Sequence, residues 1–472
     1  MRTIKIWVAA MFLLFCSIAT NAKTVKINGI WYNLISKVEQ AEVTSGSSKY
    51  QGNIIIPSTV TYEGVVYNVT SIGERAFEVC SSLKTITLPE SVTSIGDYAF
   101  ASCYLLKSIT IPDNSKLTSI GQYAFYDCCR LSSIAIPQSV TDIGKYAFSE
   151  CLSLESVHIS SIESWCSINF SHAESNPLYY ALDLYLNGEL VTDLMLPSAI
   201  TEIKALAFYC CRSLASIIIP ENSMLTSIGN HAFFRCENLA TVTIPDNLKL
   251  ISIGQYAFYN CTQLPSITIP RSVTTIGYVA FAGCTNLTSV HISSIESWCG
   301  IGFGSSESNP LYYAKNLYLN EKLVSDLIIP NTVTNIKHDA FYGCTSLTSV
   351  TIPESVTSIE EMAFCGCKSL TSVYINSIES WCDIEFGNNS NPLRGANLFL
   401  NKELVTDLVI PNTVNEVKPW AFQGCRSLTS VALSEGIKSI EQGAFYGCSN
   451  LASITIPEGV TSIGVQVFYG CI

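Results

Sequence analysis

One phrase, Ala-Phe-x-x-Cys, recurs along the chain and constrains its fold more than any other feature. The phenylalanine occurs thirteen times with a cysteine three residues later, and only the last copy replaces the alanine, by Val467. Successive phenylalanines are 23 or 25 residues apart, except at three steps of 58 to 60 residues. Self-similarity at this period predicts a solenoid, in which each repeat buries its apolar residues against its neighbours. The positions are Phe77, Phe100, Phe125, Phe148, Phe208, Phe233, Phe258, Phe281, Phe341, Phe364, Phe422, Phe445 and Phe468.

A single repeat shows how each turn of the solenoid is built. Leu83, Ile86 and Leu88 alternate with threonines, which predicts a strand with its apolar side inward and its hydroxyls in solvent. A second short extended piece ends at Ile95, and the spacing around Phe100 predicts one helical or 3₁₀ turn with its apolar side inward. The repeat therefore predicts a β-rich solenoid with a parallel sheet on one face and short strands and 3₁₀ or helical turns on the other.

Three enlarged modules interrupt the simple repeats, at about 157–197, 290–330 and 373–411. Each contains Ser-Ile-Glu-Ser-Trp-Cys, then Asn-Pro-Leu, then a Leu-x-Leu strand followed by an asparagine. Asparagine between two short extended segments predicts a tight hairpin turn. We interpret each module as an enlarged rung that carries a loop and a hairpin, with its tryptophan in the core. The tryptophans are Trp165, Trp298 and Trp381, and the asparagines are Asn187, Asn320 and Asn401.

The two ends of the chain differ from its repeats. Residues 1–22 combine early positive charge, an apolar run and small residues, which predicts a cleaved export signal. Retention of this segment as an anchor is the alternative, and a lipoprotein signal at Cys16 is weaker because Phe15 precedes it. Residues 23–68 contain hairpin-like stretches and are the natural cap of a solenoid over 69–472. No later stretch is long and apolar enough to predict a membrane span.

Composition limits the classes of partner. The chain is 48% hydrophobic and only 14% charged, which argues against disorder. Its formal net charge is -12, and it has no cluster of lysine and arginine. An acidic chain of this kind is not expected to bind nucleic acid or an anionic membrane surface.

The cysteines allow two interpretations. Thirteen of the 20 cysteines occupy one repeat position, where stacked rungs would place them about 4.8 Å apart. That distance permits disulfides in an exported chain, although the side chains would point the same way. The other interpretation is a ladder of buried thiols, each packed as a small hydrophobe.

The repeat also resembles a known family. The strand Leu-x-x-Ile-x-Ile-Pro, followed by Val-Thr-Ser-Ile-Gly-x-x-Ala-Phe-x-x-Cys, is similar to the BspA-like class of leucine-rich repeats over about residues 69–472. The Trp-Cys modules and the N-terminal hairpin segment also look like parts of this family. The resemblance implies a curved, right-handed solenoid, exported by bacteria of the Bacteroides type or displayed by some mucosal protozoa. It further implies a secreted or surface protein, and some members act as adhesins for host matrix proteins or other microbes.

Motifs for catalysis do not emerge from the sequence. It has no G-x-S-x-G, HExxH, P-loop or dinucleotide fingerprint, so we expect no enzyme, cofactor or metal site. A histidine and a cysteine in the first two modules, such as His158 with Cys166, could suggest a thiol nucleophile and its base. The third module has Tyr374 at the histidine position, which argues against a required base.

The exposed sheet is the remaining candidate for function. Its outward residues are mostly serine and threonine, which suits an extended partner better than a small molecule. The sequence predicts a non-catalytic surface for protein binding, in adhesion, with a glycan-binding surface as the alternative and an enzyme or enzyme scaffold as a third hypothesis. Tyrosines of the modules could be contacts or could cover the enlarged rung. The candidate contact residues are His158, Ile218, His291, Tyr374, Tyr179, Tyr180, Tyr312 and Tyr313.

Overall fold

The structure is a computed structural model that describes residues 22–472, divided into two compact units. The first unit contains the residues up to Leu194 together with Ile203–Leu214, and the second contains Met195–Glu202 and Ala215–Ile472. Apart from Ala22, the predicted export signal lies outside the described residues. Each unit is a parallel β-solenoid, so the fold class predicted from the repeat is confirmed. No helix among residues 22–472 is long and apolar enough to cross a membrane.

The N-terminal segment contains six strands. They are β1 (Ala22–Ile27), β2 (Ile30–Ile35), β3 (Gln40–Thr44), β4 (Gln51–Ile55), β5 (Thr59–Tyr62) and β6 (Val65–Ile72). Strands β1, β2 and β3 form an antiparallel meander, and β5 and β6 form a hairpin. Strand β4 pairs in parallel with the first repeat strand, so the parallel sheet begins inside this segment.

Two sheets run along the first unit. We call the sheet of longer strands the front sheet; it has the segments β4-β7-β9 and β11-β13-β15-β16. The side sheet contains the short strands β6-β8-β10-β12-β14 and continues into the meander. The strands are β7 (Ser82–Thr87), β8 (Ser94–Ile95), β9 (Ser108–Thr110), β10 (Ser119–Ile120), β11 (Ser133–Ile136), β12 (Asp142–Ile143), β13 (Ser156–Ile159), β14 (Asn169–Phe170), β15 (Asp183–Leu186) and β16 (Glu189–Leu190). The helices are α1 (Ile162–Cys166), the 3₁₀ helix η1 (Ala173–Ser175) and α2 (Leu178–Ala181). Strands β17 (Asp193–Met195) and β18 (Glu202–Ile203) follow.

The second unit repeats this plan. Its front sheet contains β19-β21, β23-β25-β27-β28, β29-β31-β33-β35-β36 and β37-β39-β41, and its side sheet contains the short strands between them. The strands are β19 (Ser216–Ile218), β20 (Ser227–Ile228), β21 (Thr241–Thr243), β22 (Ser252–Ile253), β23 (Ser266–Thr268), β24 (Thr275–Ile276), β25 (Ser289–Ile292), β26 (Gly302–Phe303), β27 (Leu317–Leu319), β28 (Lys322–Leu323), β29 (Asp326–Ile328), β30 (Asn335–Ile336), β31 (Ser349–Thr351), β32 (Ser358–Ile359), β33 (Ser372–Ile375), β34 (Glu385–Phe386), β35 (Asn397–Leu400), β36 (Glu403–Leu404), β37 (Asp407–Ile410), β38 (Glu416–Val417), β39 (Ser430–Leu433), β40 (Ser439–Ile440), β41 (Ser453–Thr455) and β42 (Ser462–Ile463). The helices are α3 (Ile295–Cys299), the 3₁₀ helix η2 (Ser306–Ser308), α4 (Leu311–Ala314) and α5 (Ile378–Cys382).

The recurrent phenylalanine and cysteine form the spine of each unit. The ring of Phe100 is fully buried and stacks on Phe125 with centroids 5.2 Å apart. The thiol of Cys128 donates to the carbonyl of Phe100, one rung earlier, at 3.2 Å. Because a thiol is small, apolar and a weak donor, cysteine can both pack in this position and satisfy a buried carbonyl. The same donation is made by Cys103, Cys151, Cys261, Cys284, Cys367, Cys448 and Cys471, which supports the thiol-ladder interpretation at these positions.

The segment around the phenylalanine is turn-like, as predicted, but its backbone is not that of a regular helical turn. Tyr98 and Ser102 flank Phe100 with φ of 56° and 57°, in the left-handed region. The amide of Phe100 donates to the carbonyl of Ala124, in the next rung, at 2.7 Å. The segment is therefore a series of turns whose backbone hydrogen bonds also run between rungs.

In each module, side-chain donors replace the backbone amide that donates to the alanine carbonyl in an ordinary rung. In an ordinary rung the alanine carbonyl accepts from the preceding phenylalanine amide, as Ala124 does. After the second module, the carbonyl of Ala340 instead accepts from Trp298 Nε1 at 2.7 Å and from Asn309 Nδ2 at 3.1 Å. Trp298 is 1% exposed, so the predicted core position of the tryptophan is confirmed. The same contacts recur in the sets Trp165, Asn176, Ala207 and Trp381, Asn391, Ala421.

Candidate functional site

Each module places a pair of stacked rings on the outward side of the front sheet. In the second module, His291 on β25 lies opposite Tyr318 on β27, with ring centroids 4.9 Å apart. Parallel pairing in register brings these side chains together, because residues in matched positions point to the same face. We call the three pairs the aromatic pairs. They are His158 with Tyr185, His291 with Tyr318, and Tyr374 with Phe399.

Only one ring of each pair was predicted from the sequence as a contact residue. The candidates His158, His291 and Tyr374 lie on the repeat strands, whereas their partners lie on the Leu-x-Leu strands after the module loop. The pattern that could have identified the partners is the central residue of Leu-x-Leu, which is aromatic in all three modules.

A hairpin extends each aromatic pair by one leucine. In the second module, Tyr318 on β27 lies opposite Leu323 on β28, in an antiparallel hairpin. The turn residues Asn320 and Glu321 have φ of 48° and 65°, which is the backbone of a type I′ turn. Leu323 is 49% exposed, and the equivalent Leu190 and Leu404 are 42% and 49% exposed. Each module therefore presents two rings and an exposed leucine in one row. The other outward residues of the front sheets are mostly serine and threonine, apart from the exposed Ile55, Met195, Ile218, Ile328 and Val409.

The surroundings of the module histidine and cysteine argue against a histidine base that activates a cysteine thiol. His291 Nδ1 lies 3.2 Å from the carboxylate of the exposed Glu321, and its Nε2 lies 3.2 Å from Ser289 Oγ. Burial raises the pKa of the Cys299 thiol, in the same module, to about 12. A thiol with this pKa is protonated at neutral pH and is a poor nucleophile. Among residues 22–472 no group of three or more histidine, cysteine, aspartate or glutamate side chains is placed to hold a metal ion.

The four module tyrosines contact the turns of neighbouring rungs. The hydroxyl of Tyr180, on α2, accepts from the amide of Glu150 at 3.0 Å, and Tyr313 accepts from Gly283 in the same way at 2.9 Å. Tyr179 and Tyr312 stack on Tyr209 and Tyr342, with centroids 5.8 and 5.6 Å apart. All four are half-buried. These contacts favour a covering role for Tyr180 and Tyr313.

The remaining candidate, Ile218, lies apart from the aromatic pairs. It is on β19, opposite Thr243 of β21, and is 37% exposed. On its other side β19 pairs with β17, whose Met195 is 66% exposed, so Ile218 has an apolar neighbour on the front sheet.

Comparison with a model of a known repeat family decides which family this architecture represents. Residues 53–176, 184–307, 314–393 and 394–472 match the BspA type leucine-rich repeat region. The chain belongs to this BspA-type family. The first matched segment begins inside β4, where the parallel sheet of the repeat protein also begins.

Solved structures similar to this BspA-type chain come from several bacteria. A leucine-rich repeat protein from Bacteroides ovatus is 24% identical, with 95% of this chain and 92% of that chain covered and a TM-score of 0.36. A leucine-rich cell surface protein from Faecalibacterium prausnitzii is 25% identical, with 96% and 93% covered and a TM-score of 0.29. A leucine-rich repeat protein from T. pallidum is 27% identical, with 52% and 91% covered and a TM-score of 0.31. No curated protein matches the chain.

Proposed function

We propose that this BspA-type protein is a non-catalytic binding protein, secreted or held at a bacterial surface, whose front sheets contact a protein partner in adhesion. The observation that carries the proposal is the threefold recurrence of an aromatic pair with an exposed leucine. Aromatic side chains are frequent anchors of protein interfaces, and small residues around them let a partner approach closely. The secreted or surface location is supported by the export signal predicted at residues 1–22.

The charges beside the aromatic pairs have both signs. The carboxylate of Glu321 lies 3.2 Å from His291, and Asp326 and Lys402 lie around the recess beside Tyr374. Complementary charges on a partner would therefore speed its encounter and orient it on the front sheet.

The test is surface plasmon resonance of the mature chain against host matrix proteins and proteins from neighbouring microbes. A variant with His158→Ser, His291→Ser and Tyr374→Ser removes one ring from each aromatic pair. Loss of one interface anchor costs about 1–2 kcal/mol, and about 1.4 kcal/mol corresponds to tenfold in affinity. We therefore expect loss of the three rings together to weaken binding at least about tenfold.

A matched control removes three half-buried rings from the turns: Tyr126→Ser, Tyr259→Ser and Tyr446→Ser. We expect this control to bind the partner as the unmodified protein does. Circular dichroism of both variants checks that each is folded. Equal loss of binding in the two variants, or no binding by the unmodified protein to any protein tested, would contradict the proposal.

A further inference from the structure

A slot lies on the front sheet of the second unit, beside the aromatic pair of the third module. Ile328, Thr351, Tyr374 and Phe399 are in register on four successive strands. Phe399 covers one face of the Tyr374 ring, with centroids 4.8 Å apart. The other face is directed towards Ile328, which is 68% exposed, across the small Thr351. Two strand spacings separate these walls, which is about 10 Å.

The spacing of the modules creates this slot. Strand β29, which carries Ile328, follows the hairpin of the second module directly, and only β31 lies between β29 and the third module's β33. In the other two modules the corresponding neighbours of the histidine are Thr268 and Ala135. These residues correspond to Thr351, and the repeat-equivalent positions of Ile328, one strand further along, are Thr243 and Thr110. Neither row therefore has an aliphatic wall opposite its aromatic ring.

The two ends of the slot are polar. At one end the carboxylate of Asp326 accepts from Ser349 Oγ at 2.6 Å. Hydrogen bonds from Ser349 and Ser325 lower the pKa of this carboxyl group, so it is charged at neutral pH. At the other end lie Asn376 and Lys402, and the recess between the ends is open to solvent on one side, with a volume of about 400 Å³. The ends are about four residues apart along the strands, or about 13 Å.

We propose that this slot binds a neutral glycan segment of about two sugar rings. A pyranose ring has an apolar C–H face, which suits Tyr374 and Ile328, and hydroxyl groups, which suit Asp326, Asn376 and Lys402. A wholly apolar occupant would cover these charged groups without giving them partners, which is costly. Asp326 and Lys402 carry opposite charges, so the slot has no net charge of its own and gives an anion or a cation no advantage over a neutral ligand.

The test begins with an array of neutral and acidic oligosaccharides. The strongest neutral di- or trisaccharide is then measured by isothermal titration calorimetry with the full chain. Tyr374→Ala removes the stacking ring, and Thr351→Phe fills the slot while keeping the aromatic pair. We expect each to weaken binding by about tenfold or more, the effect of losing about 1.4 kcal/mol. The matched controls are Tyr259→Ala, which removes a half-buried ring from a turn, and Thr268→Phe, at the position of the second module equivalent to Thr351. Both are expected to bind the sugar as the unmodified protein does.

Several results would overturn the assignment. The assignment would be overturned if no neutral oligosaccharide bound or if only acidic glycans bound. It would also be overturned if the controls weakened sugar binding as much as the slot variants do. If Thr351→Phe abolished binding of a protein while no sugar bound, the slot would be part of a protein interface. This proposal does not rest on the protein-binding proposal, since sugar binding can persist when no protein is captured.

Discussion

The contacts that replace a rung in the modules lead to a prediction about cooperative loss of stability. Trp298 Nε1 and Asn309 Nδ2 both donate to the carbonyl of Ala340, and Ala340 is fully buried. Either donor alone leaves that oxygen satisfied. We therefore expect the double variant Trp298→Phe/Asn309→Ala to lose more free energy of unfolding than the two single variants lose in sum.

The size of the effect follows from the hydrogen bonds. Asn309→Ala also removes a donor to the carbonyl of Asp339 at 2.7 Å and an acceptor for the amide of Leu311 at 2.9 Å. At about 1 kcal/mol for each hydrogen bond, this variant loses about 3 kcal/mol of local stability. Trp298→Phe loses one hydrogen bond and some packing, about 2 kcal/mol. The double variant also leaves the Ala340 oxygen without a donor, which adds about 1–2 kcal/mol.

Native-state hydrogen exchange measures this free energy locally, which suits a repeat protein whose unfolding need not be two-state. Peptides spanning residues 295–345 report on the altered module. Peptides spanning 378–425 contain the equivalent contacts of Trp381 and Asn391 and serve as an internal reference. If the free-energy loss of the double variant equalled the sum of the two single losses to within about 0.5 kcal/mol, the idea that the two donors back each other up at one acceptor would be wrong.

Three further predictions concern the spine, a turn and a covering tyrosine. Burial raises the pKa of the Cys284 thiol to about 12, so its contribution to stability is present below the unfolded pKa near 9 and is lost as the pH rises towards 12. In Cys284→Ala, the free energy of unfolding in urea should therefore fall less steeply between pH 9 and 12. An unchanged slope would contradict this prediction. Val79 is 48% exposed with φ of 56°, so Val79→Gly should stabilise the protein by about 1 kcal/mol in urea unfolding, whereas a loss would refute the strain argument. Tyr180→Phe removes the acceptor of the Glu150 amide and should cost about 1 kcal/mol in the same assay while leaving partner binding unchanged; weaker binding would instead make Tyr180 a contact residue.

The period of the sequence was sufficient to predict the solenoid and its spine. Phenylalanine and cysteine at one repeat position must stack when the rungs are in register, as Phe100 and Phe125 do. The hairpin turns were also predictable, because asparagine tolerates the left-handed backbone that Asn320 adopts.

Contacts between distant residues could not be predicted from local patterns. The partner of Trp298 lies 42 residues away, at Ala340. The left-handed backbone at Tyr98 and Ser102 was not predicted, because neither residue type indicates such a conformation. Later repeats do give an indication, since Gly447 occupies the position equivalent to Ser102.

The candidate site was half predicted for the same reason. Outward alternation identified Tyr374, but its partner Phe399 and the opposing Ile328 come from strands on either side, joined to β33 by long connections. Only the pairing of those strands brings the three side chains into one row.

Site-specific photocrosslinking tests most directly whether the front sheets are the contact surface. A photoreactive phenylalanine analogue would replace His291 or Tyr374 on the front sheet, and Tyr259 or Tyr446 on the turns, in separate preparations. With a partner identified by surface plasmon resonance, we expect crosslinks from the two front-sheet positions and none from the two turn positions. Crosslinks confined to the turn positions would contradict the proposal that the aromatic pairs hold the partner.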